Sequence, residues 1–273
     1  MTVPRTKILA RLNSNVDDLL GTISGAAGKS LAAELFDPFS GKQNSGDASP
    51  FLKSLFPEIR IAAIAERSLN TALGWGWDKV VADVAAATHG NAVVGHHVVG
   101  HIPATTSTQI EAVVSSYTSG VGHASPDTAV ELQMILPGVT APGAKDAVDE
   151  KDDVYYVDSA GVENHVEIKT PKPNYDQMKA AKRRILRIHA VRAPQTVQAF
   201  VGMAYNPNGL HGTYGWPTTK YFLDPSYDLK VGKAFWDYVG ASPSTYEELL
   251  DCFYTVSRNR RGELAALMKA ITA

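Results

Sequence analysis

The sequence predicts an α/β (α+β) fold, with a mixed central sheet flanked by helices and a helical N-terminal part. Three observations predict it. Apolar residues recur at helical spacing between Ile61 and Tyr117. The period shortens to two near residue 130. A hairpin-like stretch at residues 153–169 then leads into another helical pattern and an apolar strand. With 273 residues, 44% of them hydrophobic, the chain can bury a sizeable core. We read one domain over residues 1–273, with a core at about 108–205, a helical N-terminal region at 1–107 and a C-terminal region at 206–273.

An N-terminal helical stretch gives way to DPFSGKQNSGDASP at residues 37–50, a surface loop by its Gly, Ser, Pro and Asp content. Pro57 and Glu58 open a helix carrying Ile61, Ile64, Ala65 and Leu69, which Gly74 stops. The next helix sets Trp77, Val80, Val81, Val84 and Ala85 on one face and closes at Gly90. A third starts at the capping box of Thr108 and Glu111 and presents Ile110, Val113, Val114 and Tyr117. Val130, Leu132, Met134 and Leu136 then alternate with Glu131, Gln133 and Ile135, the pattern of a strand that Pro137 and Gly138 end. A loop closing in the acidic run DAVDEKDD leads to VYYV, the turn DSAG and VENHVEIK, a β-hairpin. Residues 175–189 read as a helix with Met178, Ala181, Ile185 and Ile188 as its apolar stripe. TVQAFVGMAY follows as a buried strand bounded by Asn206 and Pro207. A capping box of Ser244 and Glu247 introduces a last helix with Leu249, Leu250 and Phe253.

The formal net charge of -2 does not announce a polyanionic partner, so the distribution of charge matters more than its total. A lone Cys252 excludes a disulfide framework and a cysteine-rich zinc site. No apolar stretch approaches the roughly 18 residues of a membrane span, and MTVPRTKILARLNSN lacks the apolar core of a signal peptide. A cytoplasmic protein without membrane partners is expected.

The hairpin concentrates the chemistry. With its midpoint near Ala160, Asp153 faces Glu167 across the strands, and Lys169 shares the face of Glu167. Asp153, Glu167 and the backbone carbonyl of Ile168 are the hard oxygen ligands that Mg²⁺ prefers, and Lys169 sits where it can orient or deprotonate a water. An isolated E-x-K triplet arises by chance in many proteins. The register match and the order of surrounding elements give this one its weight. Asp152 competes with Asp153 for the first position, because a one-residue slip exchanges their faces.

Residues 167–192 hold eight Lys or Arg and two acids. Lys179, Arg183 and Arg187 recur every four residues, and with Lys172 they suit phosphate contacts beside the hairpin, although a solvated helix face has the same pattern. Arg258, Arg260 and Arg261 are an even balance between DNA contacts and helix-end cations. His96, His97 and His101 form a cluster, but the local glycines oppose the helix that an H-x-x-x-H metal site needs, so polar loop or DNA-contacting histidines are expected. Trp75, Trp77, Phe235 and Trp236 are expected as core or interface anchors.

Together, Asp153 and Glu167-Ile168-Lys169 on a hairpin, in the order helix, three strands, helix, strand, resemble the PD-(D/E)xK nuclease superfamily. The segments VEIKTPKPNYDQMKAAKRRILRIHA, ERSLNTALGWGWDKV, AYNPNG and FWDYVG look like the TdeIII-type type II restriction endonucleases. The resemblance implies a restriction-endonuclease-like core with Asp153, Glu167 and Lys169 as the catalytic set and Mg²⁺ as cofactor. It implies cleavage of double-stranded DNA at a short palindromic, GC-rich sequence, leaving 5′-phosphate ends. A homodimer and a cognate DNA methyltransferase in the same system are implied with it. The superfamily often adds an upstream helical acid. Glu66, in the family-like segment, is favoured over Glu111 as a further metal ligand. The literal proline-aspartate pair is absent, since Asp152 precedes Asp153. Arg183, Arg187, Asn206 and Asn208 are candidates for reading bases. Two other classes compete: a structure-selective or repair nuclease on the same core, and a non-catalytic DNA-binding protein. Sequence preference among cleavage products separates the three.

Overall fold

A computed structural model of the chain describes residues 3–24, 76–117 and 125–272. The expected loop at 37–50, the helix from Pro57 to Gly74, Trp75 and Glu66 lie outside these residues. The chain divides into two compact units, one of residues 1–4 and 77–248, the other of residues 5–76 and 249–273. Elements are numbered here within the described residues.

In the second unit, helix α1 (Arg5–Ser24) and the C-terminal part of α8 (Thr245–Thr272) are joined by polar contacts. The Arg5 guanidinium donates to Asp251 at 2.5 Å, and Arg260 pairs with both Asp17 and Glu263 at 2.6 Å. Arg260 is thus committed to carboxylates within the middle of a long helix, not displayed at a helix end.

The first unit is built on a five-stranded mixed sheet. Its strands are β1 (Val93–Val94), β4 (Val154–Val157), β5 (Glu163–Ile168), β6 (Val197–Met203) and β7 (Leu229–Val231), in that spatial order. β4 and β5 are antiparallel, whereas β5, β6 and β7 run parallel. The change of direction follows from the connections. A tight turn joins β4 to β5, and helix α5 (Tyr175–Arg192) crosses from β5 to β6. A separate antiparallel pair, β2 (His97–Pro103) and β3 (Lys145–Lys151), completes the strands among the described residues, and a short helix, α6 (Pro217–Phe222), stands between β6 and β7 in the chain.

Helix α5 covers one face of the sheet, where Ala181, Ile185 and Ile188 share a core cluster with Val197, Ala199 and Val201. The other face packs on α2 (Trp77–His89) and α7 (Lys233–Val239), through His89 stacked on Tyr156 and Phe235 edge-on to Phe200. Gly202 makes this second layer close-fitting, because a Cβ there would lie 2.3 Å from the Phe235 ring. Trp77 and Trp236 pack at 5.7 Å between ring centroids. Lys182 of α5 is fully buried, paired with Glu131 and with Asp228, the latter at 2.6 Å. None of the helices among the described residues is long and apolar enough to cross a membrane.

Four sequence expectations are corrected. Residues 130–136 are not a strand: α4 (Thr128–Ile135) is a helix capped by the Asp127 side chain, which accepts from the Val130 amide. The alternation there misled because Val130 and Met134 are exposed while Glu131 and Ile135 are buried. The acidic run expected as a loop is strand β3, whose Glu150 carboxylate is met by Arg184 and Arg187. The third helix, α3 (Ala104–Ser116), begins four residues before Thr108. The Thr108 hydroxyl donates back to the Ala104 carbonyl, and Glu111 pairs with arginines, so the capping box does not form. At α8 the Ser244 hydroxyl meets Glu248, not the expected Glu247 position, and Glu247 is taken by Lys233.

Candidate active site

The hairpin turn is set by Asp158. Its carboxylate accepts from the amides of Ala160 and Val162, its own carbonyl accepts from Gly161, and Gly161 takes a φ of 79° that only glycine adopts freely. This turn fixes the register. Val154 faces Val166, Tyr155 faces His165, Tyr156 faces Asn164 and Val157 faces Glu163, the pairing expected from the sequence. Pairing continues past β4, where the Asp153 amide donates to the Val166 carbonyl and Asp153 Oδ2 accepts from the Ile168 amide at 2.6 Å. Asp153 is thereby held at the same end of the hairpin as Glu167.

Lys169 Nζ lies 2.5 Å from Glu167 Oε1, so the ammonium and the carboxylate share a face as alternation requires. Glu167 Oε2 meets Arg184 Nη1 at 2.7 Å, and Arg184 Nε reaches Glu150 at 3.3 Å. Burial works against the Arg184 charge, but Glu167, Glu150 and, least, Asp153 together outweigh it and raise its pKa above the ordinary arginine value. The acidic pair therefore sits in a locally balanced field. Arg184 and Glu150 went unnoticed in the sequence. Arg184 lies one position off the i, i+4 stripe of α5, and Glu150 lies in the run expected as a loop. The signal was the i, i+3 spacing of Arg184 and Arg187 opposite an acidic stretch.

Asp152 does not join Asp153. Its buried carboxylate is bonded by His165 and His96, at 2.7 and 3.1 Å. Of the histidine cluster, His96 turns to Asp152, His97 pairs with Asp149 at 2.6 Å, and His101 is exposed on β2. The expected DNA-contacting residues divide in the same way. Arg183 is bound by both oxygens of Glu111, at 2.6 and 2.8 Å, which raises the arginine pKa and lowers that of Glu111. Arg187 reaches Glu111 and Glu150. Lys172 is exposed, with its ammonium 5.7 Å from the centre of the Trp216 ring, and Lys179 is partly exposed.

The segment between Lys169 and α5 is braced from outside. Tyr214 donates to the Pro171 carbonyl, while the Trp216 indole and the Thr218 hydroxyl both donate to that of Pro173, all within 2.7–2.9 Å. Asn174 then starts α5 with a capping box, accepting from the Gln177 amide while the Gln177 side chain accepts from its own. Lys169 therefore emerges between two fixed points: its amide bonded to Gly202 in β6, and the anchored prolines.

The chain is 31% identical over 223 residues to the type II restriction enzyme HgiEI of Herpetosiphon aurantiacus, covering 80% of this chain and 81% of that one. It is 29% identical over 266 residues to HgiBI and 27% identical over 267 residues to HgiCII, type II restriction enzymes of the same organism, covering 96% of both chains in each comparison. Residues 14–257, which include the whole hairpin and α5, match the family described as type II restriction endonuclease, HinfI. The chain belongs to this HinfI family of type II restriction endonucleases.

Proposed function

We propose that this protein hydrolyses double-stranded DNA at a short palindromic sequence in a Mg²⁺-dependent reaction, leaving 5′-phosphate ends. The proposal includes action as a homodimer and protection of the host site by a cognate methyltransferase. The observation that carries it is the meeting of Asp153, Glu167 and Lys169 at one end of the hairpin, in a chain of this family. The TdeIII-type likeness is a finer reading and rests on the segments quoted for it, the first of which supplies Glu167, Lys169 and α5.

The donor set suits Mg²⁺. Asp153 keeps one oxygen clear of hydrogen bonds among the described residues, and Glu167 Oε2 is buried with an ion pair to Arg184 but no hydrogen bond. Asp153, Glu167 and the Ile168 carbonyl would hold the ion, with Glu66 as a further expected ligand. Bound there, Mg²⁺ supplies charge compensation on the phosphoryl oxygens and acidifies water. The chain's own residues do the rest. Lys169 would hold the attacking water against the phosphate and, from its neutral amine form, accept its proton. The water oxygen bonds to phosphorus as the bond to the 3′ oxygen breaks, and the departing 3′ oxygen takes a proton from solvent, which leaves a 5′ phosphate and a 3′ hydroxyl. Arg184 fixes the Glu167 carboxylate through its ion pair to Oε2. Lys172 and Lys179 are proposed to meet backbone phosphates. Arg183 and Arg187 are proposed to do so by exchanging Glu111 and Glu150 for phosphate.

The test is digestion of a long, unmethylated, fully sequenced DNA with purified protein and Mg²⁺, followed by sequencing of the fragment ends. Discrete fragments sharing one short motif are expected. Glu167→Ala and Lys169→Ala are each expected to slow cleavage at least ~100-fold, the scale of losing one positioned charged group, while the folded protein still binds DNA. Diffuse degradation, or full activity in both variants, would sink the assignment.

A further inference from the structure

Beside the hairpin carboxylates lies a cluster of different composition. Asp152 comes from the β3–β4 junction, His165 from β5 and His96 from the segment between β1 and β2. One ligand-capable atom of each lies within 4.8 Å of the others. Both imidazoles direct Nδ1 at the same oxygen, Asp152 Oδ2. The side chains of His165 and Asp152 are 0% and 2% exposed, whereas His96 is 23% exposed and opens the cluster to solvent. We propose that His96, Asp152 and His165 form a binding site for a transition-metal ion of the zinc class, distinct from the carboxylate site of Asp153 and Glu167.

Donor chemistry, spacing and outer support all point this way. Two imidazole nitrogens and one carboxylate favour zinc and its neighbours over Mg²⁺, which takes oxygen ligands and holds its waters. Bonds of ~2.0–2.1 Å set tetrahedral ligand atoms about 3.3 Å apart, near the 2.7 and 3.1 Å that already separate Asp152 Oδ2 from the two Nδ1 atoms. A ligating imidazole uses one nitrogen for the ion and donates from the other, most often to a carboxylate. His165 has that arrangement: its Nε2 is 3.2 Å from Glu163 Oε2, and Arg192 Nε steadies the same oxygen at 2.8 Å. The His96 ring is held by stacking on Tyr155, with 4.1 Å between centroids and 19° between planes. Three protein ligands leave a fourth position on the His96 side for water. An ion here cross-links three segments of the chain immediately before Asp153 and on the strand face of Glu167.

The experiment is titration of Zn²⁺ into chelator-stripped full-length protein in excess Mg²⁺, competed by a chromophoric chelator. DNA is absent, so the result is independent of cleavage. One Zn²⁺ per chain is expected, unchanged in Glu167→Ala and weakened by at least ~10-fold in His96→Ala, with folding checked by circular dichroism. Co²⁺ in place of Zn²⁺ is expected to give visible bands of mixed nitrogen and oxygen ligation, which serve as the deciding readout if His96→Ala does not fold. No stoichiometric Zn²⁺ in the unaltered protein, equal affinity in folded His96→Ala, loss of binding in Glu167→Ala, or a Co²⁺ spectrum of oxygen ligands alone would overturn the proposal.

Discussion

His189 on α5 shows how much one buried ring can control. Among the described residues its Nε2 has no hydrogen-bond partner, and burial first, then the nearby His165 and Lys182, push its pKa from 6.5 down to about 4. As pH falls through 6.5 the unfolded chain takes up a proton at this residue and the folded one does not. Stability is therefore undiminished above 6.5 and declines with pH down to about 4, by about 3 kcal/mol over the full window. Urea unfolding between pH 7 and 4.5 is expected to show that slope, and a folded His189→Gln variant to flatten it. Residues of this kind were hard to read in the sequence. Lys182 stands among basic neighbours and reads as a solvated cation, yet its partners Glu131 and Asp228 lie far along the chain on either side. Asp153, Glu167 and Lys169 were easier to place together, because a short turn fixes which residues oppose each other, and that is local information.

At the scale of elements, α5 joins the Ile168 end of β5 to β6, and its first turn is secured by Asn174. Asn174→Ala removes the side-chain acceptor from the Gln177 amide and is expected to cost about 1 kcal/mol, measured by chemical denaturation. The hairpin, α5 and β6 were legible because their periods and boundaries agree with their environment. Residues 128–135 were not, because the period-two pattern of their apolar side chains does not correspond to burial. Val130 and Met134 face solvent, and the buried position between them is Glu131, held by Tyr117 and Lys182. β3 was hidden for the complementary reason. Its charged residues have partners on another strand and on α5: Asp149 with His97, and Glu150 with Arg184 and Arg187. Binary patterning reads charge as exposure, so a strand whose charges are paired across elements looks like a loop.

For the whole molecule, a formal charge of -2 means that attraction to DNA must come from local fields. The Glu111 pairs with Arg183 and Arg187 reduce the field of α5 until phosphates compete for the arginines, whereas Lys172 stands exposed. Binding of a duplex carrying the site, followed by fluorescence anisotropy without Mg²⁺ so that it stays intact, is expected to weaken linearly in log–log form with salt. Lys172→Ala and Lys179→Ala should each lower that slope by about 0.9, and an unchanged slope in both would remove them from the interface. The braces on Pro171 and Pro173 bear on the same encounter. A free connector would surrender roughly 1–2 kcal/mol of backbone entropy per residue when it settles against a duplex. Here Tyr214, Trp216 and Thr218 have already immobilised the stretch that presents Lys169. That ordering belongs to folding, so in the proposed complex recognition would begin from a stiff surface, and the selectivity between one sequence and another would be left to the fit of the DNA.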